Sequence, residues 1–308
     1  QDQRKQADGV VGNLVTEINA ATIEIAKLNA RIGAEPTPGA DSDARDQRQG
    51  LINKLADLVG VQVFEDSKGQ MQVTLDSGAA VLVSGITAYR LKATPDPLLG
   101  NFYRVDLDLG SMTVDITASV KEGAMGASLD LRDTLLPGFQ QKLDELASGI
   151  GTQVNALHNP GFGLVDLIHR DFFTGLPAGV PGAANGIRVN TALTGDPRLV
   201  AAANVSGAVG NNETARAISK LYDSGSFGAT VSSLTSSIGS KAQEYKNRVT
   251  SDENLMVALQ NQHDRISGVD LDEEATQMMA FQRGYQASAR FISVINQLTD
   301  QLVNQFGR

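Results

Sequence analysis

LDEEATQMMAFQRGYQASARFISVINQLTDQLVNQFGR, Leu271 to Arg308, carries apolar side chains at two interleaved sets of positions seven residues apart. Leu271, Met278, Tyr285, Ile292 and Phe306 form one set, with Thr299 filling its gap, and Phe281, Ile295 and Leu302 fall on the other. This is the seam of a long amphipathic helix. At about 1.5 Å per residue the segment would extend roughly 55 Å, more than a compact domain of this size covers from its own core. The spacing therefore predicts an assembly helix, with Leu271, Met278, Phe281, Tyr285, Ile292, Ile295, Leu302 and Phe306 as its interface.

Upstream, Val11, Leu14, Ile18, Ala21, Ile25, Leu28 and Ile32 keep a 3-4 spacing that predicts a first helix ended by Gly33. A linker rich in Pro, Gly and Asp then leads to a second helix through Leu51, Ile52, Leu55 and Leu58. The period changes to two at Val61 and Val63, Met71, Val73 and Leu75, then Val81 and Val83, which predicts a β meander. A loop is expected near Pro95 and Pro97, followed by strands through Val105, Leu107 and Leu109 and through Met112, Val114 and Ile116. Pro137 suits a first helical turn capped by Asp133 or Thr134, ahead of an apolar face of Phe139, Leu143, Leu146, Ile150, Val154 and Leu157.

Residues 159–211 read as irregular, with a short strand at Ile187 to Val189. Helices resume from Asn212 with an interruption around Ser224 to Gly228. Thr250 with Glu253, and Asp270 with Glu273, have capping-box spacing. The fold class expected is α+β: a long helical bundle or coiled coil formed by the N- and C-terminal parts, with a β-rich domain inserted. Its segments are 1–58, the first part of the helical bundle; 59–131, the β-rich outer domain; 132–266, the second helical part; and 267–308, the C-terminal assembly helix.

The chain of 308 residues has 26 basic and 35 acidic side chains, a net charge of -9, and no Lys/Arg cluster beyond a dipeptide. That balance argues against nucleic-acid or anionic-membrane partners. Cysteine is absent, which excludes a disulfide framework, thiolate metal ligation and thiol catalysis. No apolar run approaches the roughly 20 residues that a membrane-spanning helix needs. Because the chain opens at Gln1 directly in helical sequence, it is expected to be a fragment of a longer protein.

No catalytic constellation emerges. His158, His169 and His263 have no ligand spacing and read as surface or loop histidines. Asp41, Asp43 and Asp46 fail the calcium-loop pattern, with Ile52 where its closing glutamate belongs, and read as a solvated linker. Gly161 and Gly163 make a GxG whose sixth position is Asp166, better read as a loop than as a nucleotide site. Asp272, Glu273 and Glu274 suit a helix N-terminus, where carboxylates answer free N–H groups. Neither a cofactor nor a metal is expected, and the chain reads as non-enzymatic.

The segment SGVDLDEEATQMMAFQRGYQASARFISVINQL, Ser267 to Leu298, resembles the C-terminal signature of the bacterial flagellar axial proteins of rod, hook and hook-associated type. Three more stretches narrow the resemblance: DARDQRQGLINKLADLVGVQVFEDSKGQMQV from Asp43, LRDTLLPGFQQKLDELASGIGTQVNALHNPGFGL from Leu131, and IRVNTALTGDPRLVAAA from Ile187. Together with SGVDLDEE they resemble the hook-associated protein 1 family of the hook-filament junction.

The resemblance implies a structural protein, exported through the flagellar type III apparatus and polymerised through terminal helices into a ring at the extracellular hook tip. It implies self-association, hook protein on one side, the next hook-filament junction protein on the other, and an export chaperone for the C-terminal helix. It also implies that the family's N-terminal pairing helix is absent here, and that Gly284 stands where relatives carry Ala. The alternative reading is an extracellular adhesion module, with the β-rich domain as recognition surface on a helical stalk.

Overall fold

The computed structural model describes residues 2–34, 41–165, 167–223, 226–267 and 271–306. Side chains at 223, 226, 263, 264, 266, 267, 271–274 and 298–306 lie outside that description, as do the residues between the described segments. The fold is α+β and mostly helical, with long helices toward both ends and small antiparallel sheets inserted. It divides into two compact units, Gln1–Leu234 and Thr235–Arg308.

In the first unit, α1 (Asp2–Gly33) and α2 (Ser42–Leu58) are followed by a sheet in the order β1 (Val61–Glu65), β2 (Met71–Leu75), β3 (Val81–Ser84) and β4 (Thr87–Ala88). A second antiparallel sheet has the order β5 (Arg90–Asp96), β6 (Phe102–Asp108) and β7 (Thr113–Asp115). The apolar stripe of α1 is buried: Val11, Ile18 and Ile25 expose nothing. They join Leu55 of α2, Val73 and Leu75 of β2, Leu82 and Val83 of β3, and Val105 and Leu107 of β6 in one continuous core. Burying each large aliphatic side chain contributes about 1.5–3 kcal/mol, so this seam is the main tie between helices and sheets.

Several expectations need correction. The linker aspartates belong to α2, which starts at Ser42: Asp41 accepts a hydrogen bond from the Ala44 N–H at 3.1 Å as its N-cap, and Asp43 lies in the first turn. A carboxylate there answers free amides and the helix dipole, so these side chains are helix-starting groups. Pro95 lies within β5, opposite Tyr103, where a loop was expected. β5 is an edge strand, and an edge tolerates a residue with no N–H to give.

Likewise, the helix expected to begin ahead of Pro137 is already running. α3 (Gly123–Asp130) passes through a π turn at Leu131–Leu135 into α4 (Leu136–His158). The wider turn reconciles proline with helical backbone: the Leu136 N–H reaches Leu131 O, while the Arg132 carbonyl accepts from Arg4 Nε at 2.8 Å. α3 begins where only glycine fits. Gly123 has φ +70°, and a Cβ there would meet the Leu58 carbonyl at 2.8 Å.

The apolar face expected on α4 is only partly covered, with Leu143 exposed, and its buried residues are Asp144, Gly151 and His158. Those side chains organise the following segment: β8 (Phe173–Thr174) paired with β9 (Arg188–Val189), the short helices α5 (Ala183–Gly186) and α6 (Thr191–Gly195), then α7 (Glu213–Asp223). Finally α8 (Ser226–Ser267) and α9 (Leu271–Phe306) form long rods. Thr250 is not a cap; it lies inside α8, its hydroxyl bonded to Lys246 O at 3.1 Å. The Asp270 cap lies outside the described residues.

Candidate assembly surface

α9 carries the apolar seam as a continuous helix of 36 residues. Met278, Phe281, Tyr285, Ile292 and Ile295 are 45–79% exposed, and so is every other described side chain from Ala275 to Gln297. The side chains of Leu271, Leu302 and Phe306 lie outside the described residues, as do those of Asp272, Glu273 and Glu274. Stacked phenylalanine, tyrosine and isoleucine at heptad spacing present an apolar stripe to solvent, the opposite of what α1 does with a similar pattern. Chemically this surface offers burial and shape. Among the described residues, no group of His, Asp or Glu is arranged to hold a metal ion.

Three buried polar clusters hold the first unit rigid, and sequence reasoning found none of them. At the start of α1, Arg132 is fully buried, and its guanidinium donates to Asp8 Oδ1 at 2.6 Å and to the Tyr103 carbonyl at 2.7 Å. Asp133 takes two further bonds at 2.9 and 2.6 Å, while Asp8 also accepts from the Tyr103 N–H at 2.7 Å. Burial opposes the charge of Arg132, yet the hydrogen bonds and charges of Asp133 and Asp8 prevail and raise its pKa above the ordinary arginine value.

Farther along α1, Asn19 pairs with both backbone groups of Leu91 at 2.8 Å. Asn29 donates to the carbonyls of Met71 and Gly85 at 2.7 Å, and accepts from the Met71 N–H and the buried Arg48, each at 3.0 Å. Asp8, Asn19 and Asn29 thus tie one helix to successive strands through main-chain groups. Their near-regular spacing along α1, three turns apart, is the signal that could have revealed them.

The third cluster corrects the reading of His158 as a surface or loop residue. It is 1% exposed, with Nε2 accepting from the Ala201 N–H at 2.9 Å and Nδ1 lying 2.9 Å from the Arg170 carbonyl. A backbone donor at Nε2 and a carbonyl at Nδ1 assign the neutral tautomer with hydrogen on Nδ1. Asn155 pairs with both backbone groups of Phe173 at 2.8 Å, and Asp144 accepts from the N–H groups of Gly182 and Ala184 at 2.8 Å. The Gly161-Gly163 pair belongs to this packing: a Cβ on Gly163 would meet the Arg198 carbonyl at 2.8 Å, and one on Gly161 would meet Ala201 at 2.9 Å. Asp166 and the His263 side chain lie outside the described residues; His169 is exposed.

Comparison with known proteins bears on what this frame and seam are for. Residues 1–173 match the family described as the flagellar hook-associated protein FlgK helical domain, and residues 260–305 match the C-terminal region of flagellar basal body rod FlgEFG proteins. The chain is 24% identical over 396 residues to flagellar hook-associated protein 1 of Escherichia coli strain K12, covering 99% of this chain and 72% of that protein. To the Bacillus subtilis strain 168 protein of the same name it is 22% identical, covering 97% of this chain and 67% of the relative.

The hook junction protein FlgK of Burkholderia pseudomallei is similar in structure, with a TM-score of 0.50 and 28% identity, over 56% of this chain and 31% of that one. The Escherichia coli alignment is longer than the chain of 308 residues, so segments of that relative have no counterpart here. More than half of the chain falls within the helical-domain match, and the chain belongs to the flagellar hook-associated protein 1 (FlgK) family, non-enzymatic structural proteins of the hook-filament junction of the extracellular flagellum.

Proposed function

We propose that this chain enters the hook-filament junction through the α9 seam, with the first unit as the rigid body that the seam anchors. The observation that carries this reading is the exposure of Met278, Phe281, Tyr285, Ile292 and Ile295 along one helix. At about 1.5–3 kcal/mol per large side chain, covering these five on neighbouring subunits offsets the entropy of ordering the helix. The partners that fit are further copies of the chain in a ring, hook protein below, the next junction protein above, and before assembly an export chaperone that shields the same stripe. In this division residues 1–58 and 132–266 form the helical frame, 59–131 the outer β-rich part and 267–308 the assembly helix.

Replacing Phe281 and Ile292 together by Asp tests the reading. Cells carrying the double variant are expected to export the protein, fail to retain it at the hook tip and shed flagellin into the medium. Normal junctions built by that variant would overturn the proposal.

A further inference from the structure

α8 carries a second seam that the assembly reading does not use. Ile238, Tyr245, Val249, Met256 and Leu259 recur at spacings of three to seven along its exposed surface and are 40–67% exposed. We infer that this surface receives α9 of the same chain, closing as an antiparallel helical hairpin that covers the assembly seam in the free subunit. The proposal rests on the reading of α9 as the assembly element and adds the means by which that element is withheld before assembly.

Register is the first argument. α8 ends at Ser267 and α9 begins at Leu271, a three-residue connection of the length that joins antiparallel neighbouring helices. Folding back at that point sets Leu259 opposite Met278, Met256 opposite Phe281, Tyr245 opposite Ile292 and Ala242 opposite Ile295. Two heptad seams meet in phase in only one of seven relative offsets, and the offset required here is the one that the short connection supplies.

Chemical complementarity is the second. The carboxylate of Asp252, the polar interruption in the α8 seam, falls opposite Tyr285, the seam residue of α9 with a hydroxyl to donate. Val249 meets the small Ser288. On the flanks Leu255 falls beside Gly284, the one position of α9 with no side chain, and a Cβ added to Gly284 meets nothing within 4 Å in the open arrangement. Arg248 falls beside Phe291, a large aromatic that lies off the seam and is 67% exposed. In this register no like charges of the two helices face each other at these positions.

The linkage is intramolecular, so at low protein concentration the effective concentration of one seam at the other exceeds that of any second copy. Growth at a hook tip, where many copies are held together, reverses that advantage.

The chain has no cysteine, which makes engineered pairs unambiguous. In the purified full chain, the double variants Met256→Cys with Phe281→Cys and Val249→Cys with Ser288→Cys are expected to form a disulfide within one molecule. Formation should be at least about tenfold faster than for Val249→Cys with Phe281→Cys, one heptad out of register. Equal rates for all three pairs, or cross-links that join only separate molecules, would overturn the hairpin.

Val249→Asp with Met256→Asp, confined to α8, should lower the rate for a Leu259→Cys, Met278→Cys pair by a similar factor; an unchanged rate also counts against it. Failure of the cross-links with Phe281→Asp and Ile292→Asp still blocking junctions would remove the hairpin and keep the assembly reading. Rapid in-register cross-links with normal junctions from that same Asp variant would do the reverse.

Discussion

α1 and α9 are written in nearly the same pattern and have opposite fates. Both carry large aliphatic residues at three- and four-residue steps over more than 30 residues. In α1 the stripe is sealed against α2 and two sheets, with Ile18 and Ile25 fully buried; in α9 Phe281 and Tyr285 are almost four-fifths exposed. The difference lies in what accompanies the stripe. α1 also carries Asp8, Asn19 and Asn29, whose side chains satisfy the main-chain groups of particular strands, so its partner is specified within the chain. The described part of α9 offers the sheets no such polar fastening, and its stripe is a general apolar surface for other helices.

The largest expected effect follows directly from that contrast. Ile18→Asp would place an uncompensated charge in the core, at a cost of roughly 4–5 kcal/mol or more, comparable to the stability of a whole domain, and the first unit should unfold. Ile292→Asp should leave the thermal melt of the purified protein where it was while impairing incorporation into the flagellum. If circular dichroism showed equal destabilisation by both, the two helices would not differ in the way described.

Next comes the buried guanidinium. Arg132→Ala strands Asp8 and removes the tie between α1, β6 and the π turn, a loss of about 3–5 kcal/mol in denaturant unfolding. Changing Asp8 to Ala in the same molecule should restore part of the loss, since the stranded charge goes with it. Additive losses in the double variant would mean that the two side chains do not act as a pair.

Gly284→Ala should be milder and of opposite sign. Nothing lies within 4 Å of the added Cβ, so the helix gains about 1 kcal/mol in propensity, visible as raised helicity by circular dichroism. A fall in helicity would show that the glycine serves a packed neighbour in solution.

The smallest effect concerns acid. Burial raises the pKa of Asp106, but hydrogen bonds from Arg104 and Thr94 and the charges of Arg104 and Lys92 outweigh it and hold the carboxyl below the usual range. A depressed folded-state value stabilises above the unfolded value, about pH 3.9, and that contribution disappears as the pH falls through the folded value. Unfolding midpoints should therefore fall below about pH 4, and less so in Asp106→Asn.

Much of the fold was legible because periodicity is local. The α1 stripe, the meander from Val61 to Val83 and the terminal helix all follow from spacing that a backbone of fixed pitch must express. What stayed hidden depends on distant partners. His158 looks like any loop histidine until Arg170 and Ala201 arrive around it, and Pro95 suggests a loop until β5 proves to be an edge. Pro137 looks like a helix start because the π turn that accommodates it depends on Arg4, more than a hundred residues away. Thr250 and Glu253 satisfy a capping pattern, but uninterrupted helical hydrogen bonding through α8 leaves no end to cap.

The candidate surface was legible for a related reason: a heptad stripe records which residues share a face. The sequence by itself determined the class of fold, the family resemblance and the residues that line the α9 seam, because each depends on order and spacing along the chain. Only the tertiary structure decided that the α1 stripe is covered and the α9 stripe exposed, and that Arg132, Asn29 and His158 are buried. Burial is a property of what surrounds a side chain, and apolar spacing states the need for a partner without stating where that partner is.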